Sequence, residues 1–133
     1  MTAPALHTVD FAPPAIGPEE IAEVVATLQS GWLSTGPRVK AFERAFAEYV
    51  GAQYAVAVNS GTAALHLALI VSGVGAGDEV VTTPLTFCAT ANTVVHVGAT
   101  PRFADIDPVT WNLDLAEAER VTTSRTRAFI PVH

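Results

Sequence analysis

The chain has 133 residues, of which 50% are hydrophobic and 15% are charged, a composition typical of a folded globular domain. Its formal net charge is −6 and its seven Lys and Arg residues are scattered singly, which argues against a nucleic-acid partner. The single cysteine excludes an internal disulfide framework and favours a cytoplasmic location. The apolar stretches are interrupted by Gly, Asp and Pro, so we expect no membrane span.

Residues 1–50 predict an extended arm followed by a helical segment. Residues 1–17 are rich in Pro and Ala and are expected to run extended. In the 18–50 segment, the first helix begins at Pro18 and Gly31 closes it, because Pro is favoured in a first helical turn and Gly after a last one. Apolar residues recur on this helix at helical spacing, and the stripe they form is expected to be buried: Ile21, Val24, Val25 and Leu28.

A loop and a second helix complete the segment. The stretch "WLSTGP" interrupts the helical pattern with a Gly-Pro pair and predicts a loop over residues 32–37. The second helix is predicted over residues 37–50, with Lys40 on its solvated flank. One face of this helix is apolar and consists of Val39, Phe42, Phe46, Tyr49 and Val50.

Residues 51–133 alternate between short strands and helices. The predicted strands are 54–59, 77–83, 100–106 and 126–133, and the predicted helices are 62–73, 86–98 and 114–121. Strands separated by helices of this length make right-handed crossovers in a parallel sheet, and apolar strands with little alternation indicate helices on both faces. We therefore predict an α/β fold with a mostly parallel sheet flanked by helices. Because the chain stops in a predicted strand, we expect it to be truncated.

The junction Asn59-Ser60-Gly61-Thr62 joins a predicted strand to a helix. Ser60 is a natural N-cap, Gly61 lets a ligand approach the backbone, and Thr62 adds a hydroxyl. The free N–H groups and positive end of the helix favour an anion such as phosphate. An ordinary capped helix start explains the same residues, and on this stretch alone it is the commoner interpretation.

A second junction, "TTPLTFCATANT", is predicted at the same edge of the sheet. Pro84 ends the strand, so Phe87 lies at the carboxyl edge, where it could stack on a flat ring. An aromatic residue beside a helix start more often belongs to the core. Cys88 is expected to be a small buried hydrophobe, because no neighbour is evident that would lower its pKa.

The remaining polar residues favour structural roles. The four histidines show no metal-ligand spacing, and core or rim positions suit the two that lie in apolar helices, His66 and His96. In "DIDPVTWNLD", Asp107-Pro108 predicts a turn, and Asp114 is expected to cap the next helix, with Glu117 placed as in a capping box. A metal site is not expected among these aspartates.

Several spaced motifs in this order resemble one enzyme family. The stretches "GWLSTGPRVKAFERAFAEYVGAQYAVAVNSGTAALHLAL", "GDEVVTTPLTFCATANTVVHVGATPRFADIDPVTWNLD" and "TRAFIPVH" closely resemble the DegT/DnrJ-type sugar aminotransferases. These are fold-type I enzymes of nucleotide-sugar, amino-sugar and polysaccharide biosynthesis that depend on pyridoxal 5'-phosphate. The resemblance begins near residue 10 and covers the N-terminal part of the family's usual length, so residues 51–133 resemble part of the cofactor-binding large domain.

The resemblance implies roles for residues at both junctions. Ser60 opens the segment that holds the cofactor phosphate, and Gly61 and Thr62 match the backbone and hydroxyl groups of that segment. Phe87 matches the aromatic residue that stacks on the pyridine ring of the cofactor.

The resemblance also implies a substrate loop. Residues 32–37 match the stretch near the active-site mouth and the dimer interface, so Ser34, Thr35 and Gly36 are expected near the sugar. The full-length enzyme is expected to be a homodimer, because active sites of the family use residues of both subunits.

The resemblance implies that no catalytic residue of the family falls within this chain. The Schiff-base lysine and the carboxylate that pairs with the pyridine nitrogen match positions beyond His133, and nothing around Lys40, the only lysine, matches the lysine motif. The resemblance implies amination of a keto-sugar, nucleotide-linked, with an amino acid such as glutamate as donor, and the chain alone is expected to be inactive. Two alternatives stay open: a sugar dehydratase that uses the same cofactor and has histidine in place of the lysine, and a short non-catalytic protein that binds a phosphorylated ligand.

Overall fold

The computed structural model describes residues 12–132. Most of the arm predicted at residues 1–17 therefore lies outside the described residues, as do His7 and His133. The chain divides into two compact units, with the boundary between Ala57 and Val58.

The first unit contains the two predicted helices, α1 (Pro18–Gln29) and α2 (Pro37–Val50). Each begins with Pro in its first turn, where a missing N–H has no cost. At the start of α1, the Glu20 carboxylate accepts the Gly17 N–H at 2.7 Å. At the end of α2, Gly51 takes the left-handed conformation with φ of 70°, which a residue with a side chain rarely adopts.

The apolar stripe of α1 is not buried as predicted. Val24 and Leu28 are each 59% exposed and Ile21 is 57% exposed. Among residues 12–57 only Gly36 and Ala47 are buried. Two helices alone cannot cover each other's apolar faces, because a buried stripe needs a further packed layer.

The second unit alternates helices with strands, largely as predicted. Its helices are α3 (Gly61–Val71), α4 (Ala89–His96) and α5 (Leu115–Val121), and its strands are β1 (Glu79–Thr82), β2 (Thr100–Phe103) and β3 (Thr126–Ile130). The strand predicted over residues 54–59 does not form, because nothing in residues 12–132 pairs with it and a strand requires a hydrogen-bonded neighbour. No helix in the described part of the chain is long and apolar enough to cross a membrane.

The three strands form a parallel sheet in the order β2-β1-β3. The central strand β1 is buried along its whole length, and its successive side chains point to opposite faces. Val80 packs in a cluster with Leu69 of α3 and Val94 of α4, and Val81 packs in a second cluster with Ala118 of α5. The predicted α/β fold with helices on both faces is therefore confirmed.

A buried carboxylate anchors the amino end of β1. Glu79 is 2% exposed, and it accepts the Thr123 hydroxyl and an Arg125 N–H, each at 2.6 Å. The hydrogen bond from Thr123, followed by the charges of Arg125 and Arg102, lowers the pKa of this carboxyl below its ordinary value of 4.5. Glu79 therefore joins β1 to the turn that precedes β3.

The aspartates of residues 105–114 organise a turn and a helix start. Asp107 accepts the N–H groups of Thr110 at 2.7 Å and Val109 at 2.9 Å, which lower the pKa of its carboxyl. Asp114 caps α5 as predicted, because its carboxylate accepts N–H groups of the first turn of that helix, from Ala116 at 2.7 Å and Glu117 at 3.1 Å. The capping box does not form: Glu117 pairs with Arg120 at 2.6 Å instead of reaching back to Asp114.

Candidate functional site

The starts of α3 and α4 lie at the same edge of the sheet. α3 ends at Val71 and leads through a turn into the amino end of β1, so its first turn lies towards the carboxyl end of that strand. α4 follows β1 directly and packs against α3, so it begins at the same edge. In open α/β sheets this is the edge where ligands bind.

At the first junction the structure leaves two backbone donors free. The Ser60 hydroxyl accepts the Ala63 N–H at 3.1 Å, so Ser60 is the predicted N-cap. Within residues 12–132, the N–H groups of Gly61 and Thr62 have no protein acceptor. A Cβ placed on Gly61 would meet no atom within 4 Å, so the space beside the Gly61 Cα is open. Free donors at the positive end of a helix fit a phosphate group.

At the second junction Phe87 points away from the core. Its side chain is 77% exposed, so Phe87 is not a core residue in this structure. Two threonines that the sequence analysis did not single out order the turn before it. The Thr83 hydroxyl accepts the Leu85 N–H at 3.2 Å, and the Thr86 hydroxyl bonds that of Thr90 at 2.9 Å. The run of hydroxyl residues around Pro84 was the signal for such local hydrogen bonds.

The prediction that Cys88 is buried is wrong. Cys88 is exposed because it immediately precedes α4, whose following residues Ala89 and Thr90 turn towards the core. His66 is half-buried and His96 is exposed, and their rings meet edge to face with centroids 5.8 Å apart, which fits the rim positions expected of them.

The predicted substrate loop lies in the first unit. Ser34 and Thr35 are exposed, whereas Gly36 is buried. A cavity of about 310 Å³ opens beside the loop, and Ser34 and Gly36 line it together with Trp32, Leu33 and Arg38. Lys40 is exposed on α2.

The fold and these junctions define an α/β protein with a helix terminus suited to a phosphorylated ligand and an exposed aromatic residue at the same sheet edge. Residues 14–133 match the DegT/DnrJ/EryC1/StrS aminotransferase family, and the chain belongs to that family.

Curated relatives are similar over nearly the whole chain. The chain is 59% identical over 127 residues to the spore coat polysaccharide biosynthesis protein SpsC of Bacillus subtilis, covering 96% of this chain and 33% of SpsC. It is 45% identical over 129 residues to GDP-perosamine synthase of Caulobacter vibrioides, covering 96% of this chain and 35% of that enzyme. The chain thus spans about a third of the length of these relatives.

Solved structures share the fold. Spr1654 from Streptococcus pneumoniae in its PMP form superposes with a TM-score of 0.88 at 43% identity, covering 94% of this chain and 32% of Spr1654. Its PLP form superposes with a TM-score of 0.87 at 42% identity, covering 92% of this chain and 31% of Spr1654. These two structures therefore represent Spr1654 with the cofactor in its amino form, PMP, and in its aldehyde form, PLP.

Proposed function

We propose that this chain is the N-terminal part of a pyridoxal-phosphate-dependent aminotransferase that aminates a keto-sugar, nucleotide-linked, with an amino acid such as glutamate as donor. The observation that carries the proposal is the pair of free N–H groups at the start of α3, which lie at the same sheet edge as the exposed Phe87. A phosphate and a flat ring are the two parts of pyridoxal phosphate that a protein must hold without covalent bonds.

Names of the relatives support the substrate class. GDP-perosamine synthase makes a nucleotide-linked amino sugar by its name, and SpsC is named for polysaccharide biosynthesis. The PMP and PLP forms of Spr1654 support the choice of cofactor.

In this proposal the residues of this chain bind the cofactor and orient it. The N–H groups of Gly61 and Thr62 and the Thr62 hydroxyl would donate to the phosphate, whose negative charge the positive end of α3 also stabilises. The Phe87 ring would pack on the pyridine face and exclude water from it. When bound, pyridoxal phosphate supplies an electron sink for proton transfer at carbon.

The loop residues would meet the sugar. The exposed hydroxyls of Ser34 and Thr35 can donate hydrogen bonds to sugar hydroxyls and accept hydrogen bonds from them. Gly36 adds no side chain next to these two residues. The lysine that carries the cofactor is assigned to residues outside this chain, since Lys40 lies on the exposed flank of α2. The 133-residue chain alone is therefore expected to be inactive.

The roles of the two segments and the state of the whole enzyme are part of the same proposal. Residues 18–50 would serve as the helical segment with the active-site loop, and residues 51–133 as part of the cofactor-binding domain. The whole enzyme is proposed to be a cytoplasmic homodimer.

The test uses the protein expressed from its complete reading frame and titrated with pyridoxal phosphate. We expect Thr62→Ala to weaken binding about 10-fold, because a hydrogen bond to a charged group is lost. Thr100→Ala is the matched control, since Thr100 is exposed at the opposite, amino end of the sheet; Lys40→Ala should also leave binding unchanged.

Three outcomes decide the proposal. Conversion of the bound cofactor to its amino form by L-glutamate would support an aminotransferase. Cofactor binding with dehydration of a keto-sugar and no conversion by glutamate would instead identify a dehydratase. Equal affinity of wild type and Thr62→Ala would contradict the assignment of the phosphate site.

A further inference from the structure

Trp32 makes hydrogen bonds both to the end of α1 and to the loop that contains it. Its backbone N–H donates to the Ser30 hydroxyl at 3.1 Å, and that hydroxyl donates to the Thr27 carbonyl at 2.7 Å, in the last turn of α1. Its indole N–H donates to the Thr35 carbonyl at 3.0 Å. Trp32 is therefore linked to the end of α1 by its backbone N–H and to the middle of the loop by its indole N–H.

The indole ring also explains why residue 36 is a glycine. The Gly36 backbone is extended, with φ of −164° and ψ of −154°, a conformation open to any residue. The requirement is steric, because a Cβ at Gly36 would lie 2.5 Å from Cδ1 and 2.8 Å from Cε2 of Trp32. The ring occupies the place that a side chain at Gly36 would take, directly before the first residue of α2.

Trp32 therefore restrains the loop backbone, while the hydroxyls of Ser34 and Thr35 stay exposed. Within residues 12–132 the hydroxyls of Ser34 and Thr35 have no protein partner, although the loop backbone is restrained. Exposed loops of small residues are ordinarily mobile, and ordering them on binding costs free energy. A loop that is already ordered avoids that cost.

We propose that Trp32 is a positioning residue that holds Ser34 and Thr35 in the arrangement that binds the amino-acceptor sugar. The inference rests on the proposed function, because it takes the sugar as the ligand of the loop. Trp32 acts through the Thr35 carbonyl and through its packing on Gly36.

Trp32→Phe is the central variant, because it removes the indole N–H and keeps an aromatic ring. Trp111→Phe is the matched control: Trp111 is also exposed, at 65%, and its indole N–H makes no hydrogen bond within the described residues. Both are made in the protein expressed from its complete reading frame and loaded with pyridoxal phosphate.

The kinetic measurement uses GDP-perosamine, the amino sugar in the name of a relative, with 2-oxoglutarate as amino acceptor, which would run the proposed transamination in reverse. For Trp32→Phe we expect the KM for GDP-perosamine to rise about 10-fold, the loss expected for one hydrogen bond, with kcat within about 2-fold and cofactor affinity unchanged. A purely structural role would lower stability and cofactor affinity together, with no change confined to KM. Equal KM values in wild type and Trp32→Phe would overturn the proposal.

Amide hydrogen exchange of residues 33–36 tests the same proposal without a substrate. Trp32→Phe should accelerate exchange there, and Trp111→Phe should not. Unchanged exchange would overturn the proposal even if the protein proved not to be an aminotransferase. Loss of the proposed function is read separately, from cofactor titration and from wild-type turnover.

A double-substitution cycle tests the contact with Gly36. Gly36→Ala should raise loop exchange strongly when Trp32 is present and add little in a Trp32→Ala background, because the clash then has no partner. Additive effects of the two substitutions would show that the ring and the glycine do not act together.

Discussion

Both units of this chain carry apolar residues at regular spacing, but the two units differ in how far those residues are buried. In the first unit Val24, on the apolar stripe of α1, is 59% exposed, whereas in the second unit Val80 of β1 is fully buried. The second unit places helices on both faces of a sheet, and α1 and α2 have no such layer within residues 12–57. An apolar pattern therefore identifies the face that will be buried, while burial itself depends on a packed partner.

The largest expected effect comes from truncating the core of the second unit. Val80→Ala should lower the free energy of unfolding by about 2 kcal/mol, because two buried methyl groups are lost and a cavity remains. Val24→Ala, the same change on exposed α1, should cost less than about 0.5 kcal/mol. Urea unfolding followed by circular dichroism measures both, and equal losses would mean that α1 is covered in the protein tested.

The next effect is a dependence of stability on pH that is specific to the second unit. The pKa of the Glu79 carboxyl is lowered in the folded state, so the ionised group stabilises the fold fully above its ordinary pKa of 4.5. That contribution is lost as the pH falls through the folded-state pKa. The stability difference between wild type and Glu79→Gln should therefore stay constant from pH 7 down to about 4.5 and shrink below that pH.

The Glu20 carboxyl of the first unit provides the comparison for this prediction. Its pKa is also lowered, first by the hydrogen bond from the Gly17 N–H, but it is exposed and has no charged partner among residues 12–132. Glu20→Gln should change the pH dependence less than Glu79→Gln does. A pH-independent difference between wild type and Glu79→Gln would contradict the role given to that carboxylate.

The smallest effect concerns a helix cap. Asp114→Ala should destabilise the protein by about 1 kcal/mol, because the N–H groups of Ala116 and Glu117 lose their acceptor. Asp114→Asn keeps a side-chain oxygen and should cost much less. Thermal unfolding of the three proteins measures the difference, and equal melting temperatures for the Ala and Asn variants would show that the cap is not what stabilises α5.

Local signals predicted most of the elements. α2 spans the predicted residues 37–50, and Ser60 and Asp114 cap helices as expected. These features depend on residues within one turn of each other, such as Pro in a first turn or a carboxylate near a free N–H. Such interactions are local, so neighbouring residues in the sequence are enough to predict them.

Features that depend on distant residues were predicted less well. The segment 54–59 has the composition of a strand and stays unpaired in the described structure, because pairing needs a neighbour from elsewhere in the chain. Cys88 was expected inside and is exposed, since one residue of offset at the start of α4 decides which side chains face the core.

At the candidate site, the residue types of the phosphate segment were visible in "NSGT", and the motif order identified the family. Whether Phe87 is exposed and whether two N–H groups at the start of α3 are free depended on the folded chain. The contact of the Trp32 ring with Gly36 also depended on the folded chain, because only the folded loop places the indole ring where a Cβ of residue 36 would lie. The sequence by itself determined the helices, their caps and the α/β order, since local hydrogen bonds and periodicity decide these. Tertiary structure decided burial and the direction of the site residues, because packing acts between residues far apart in the chain.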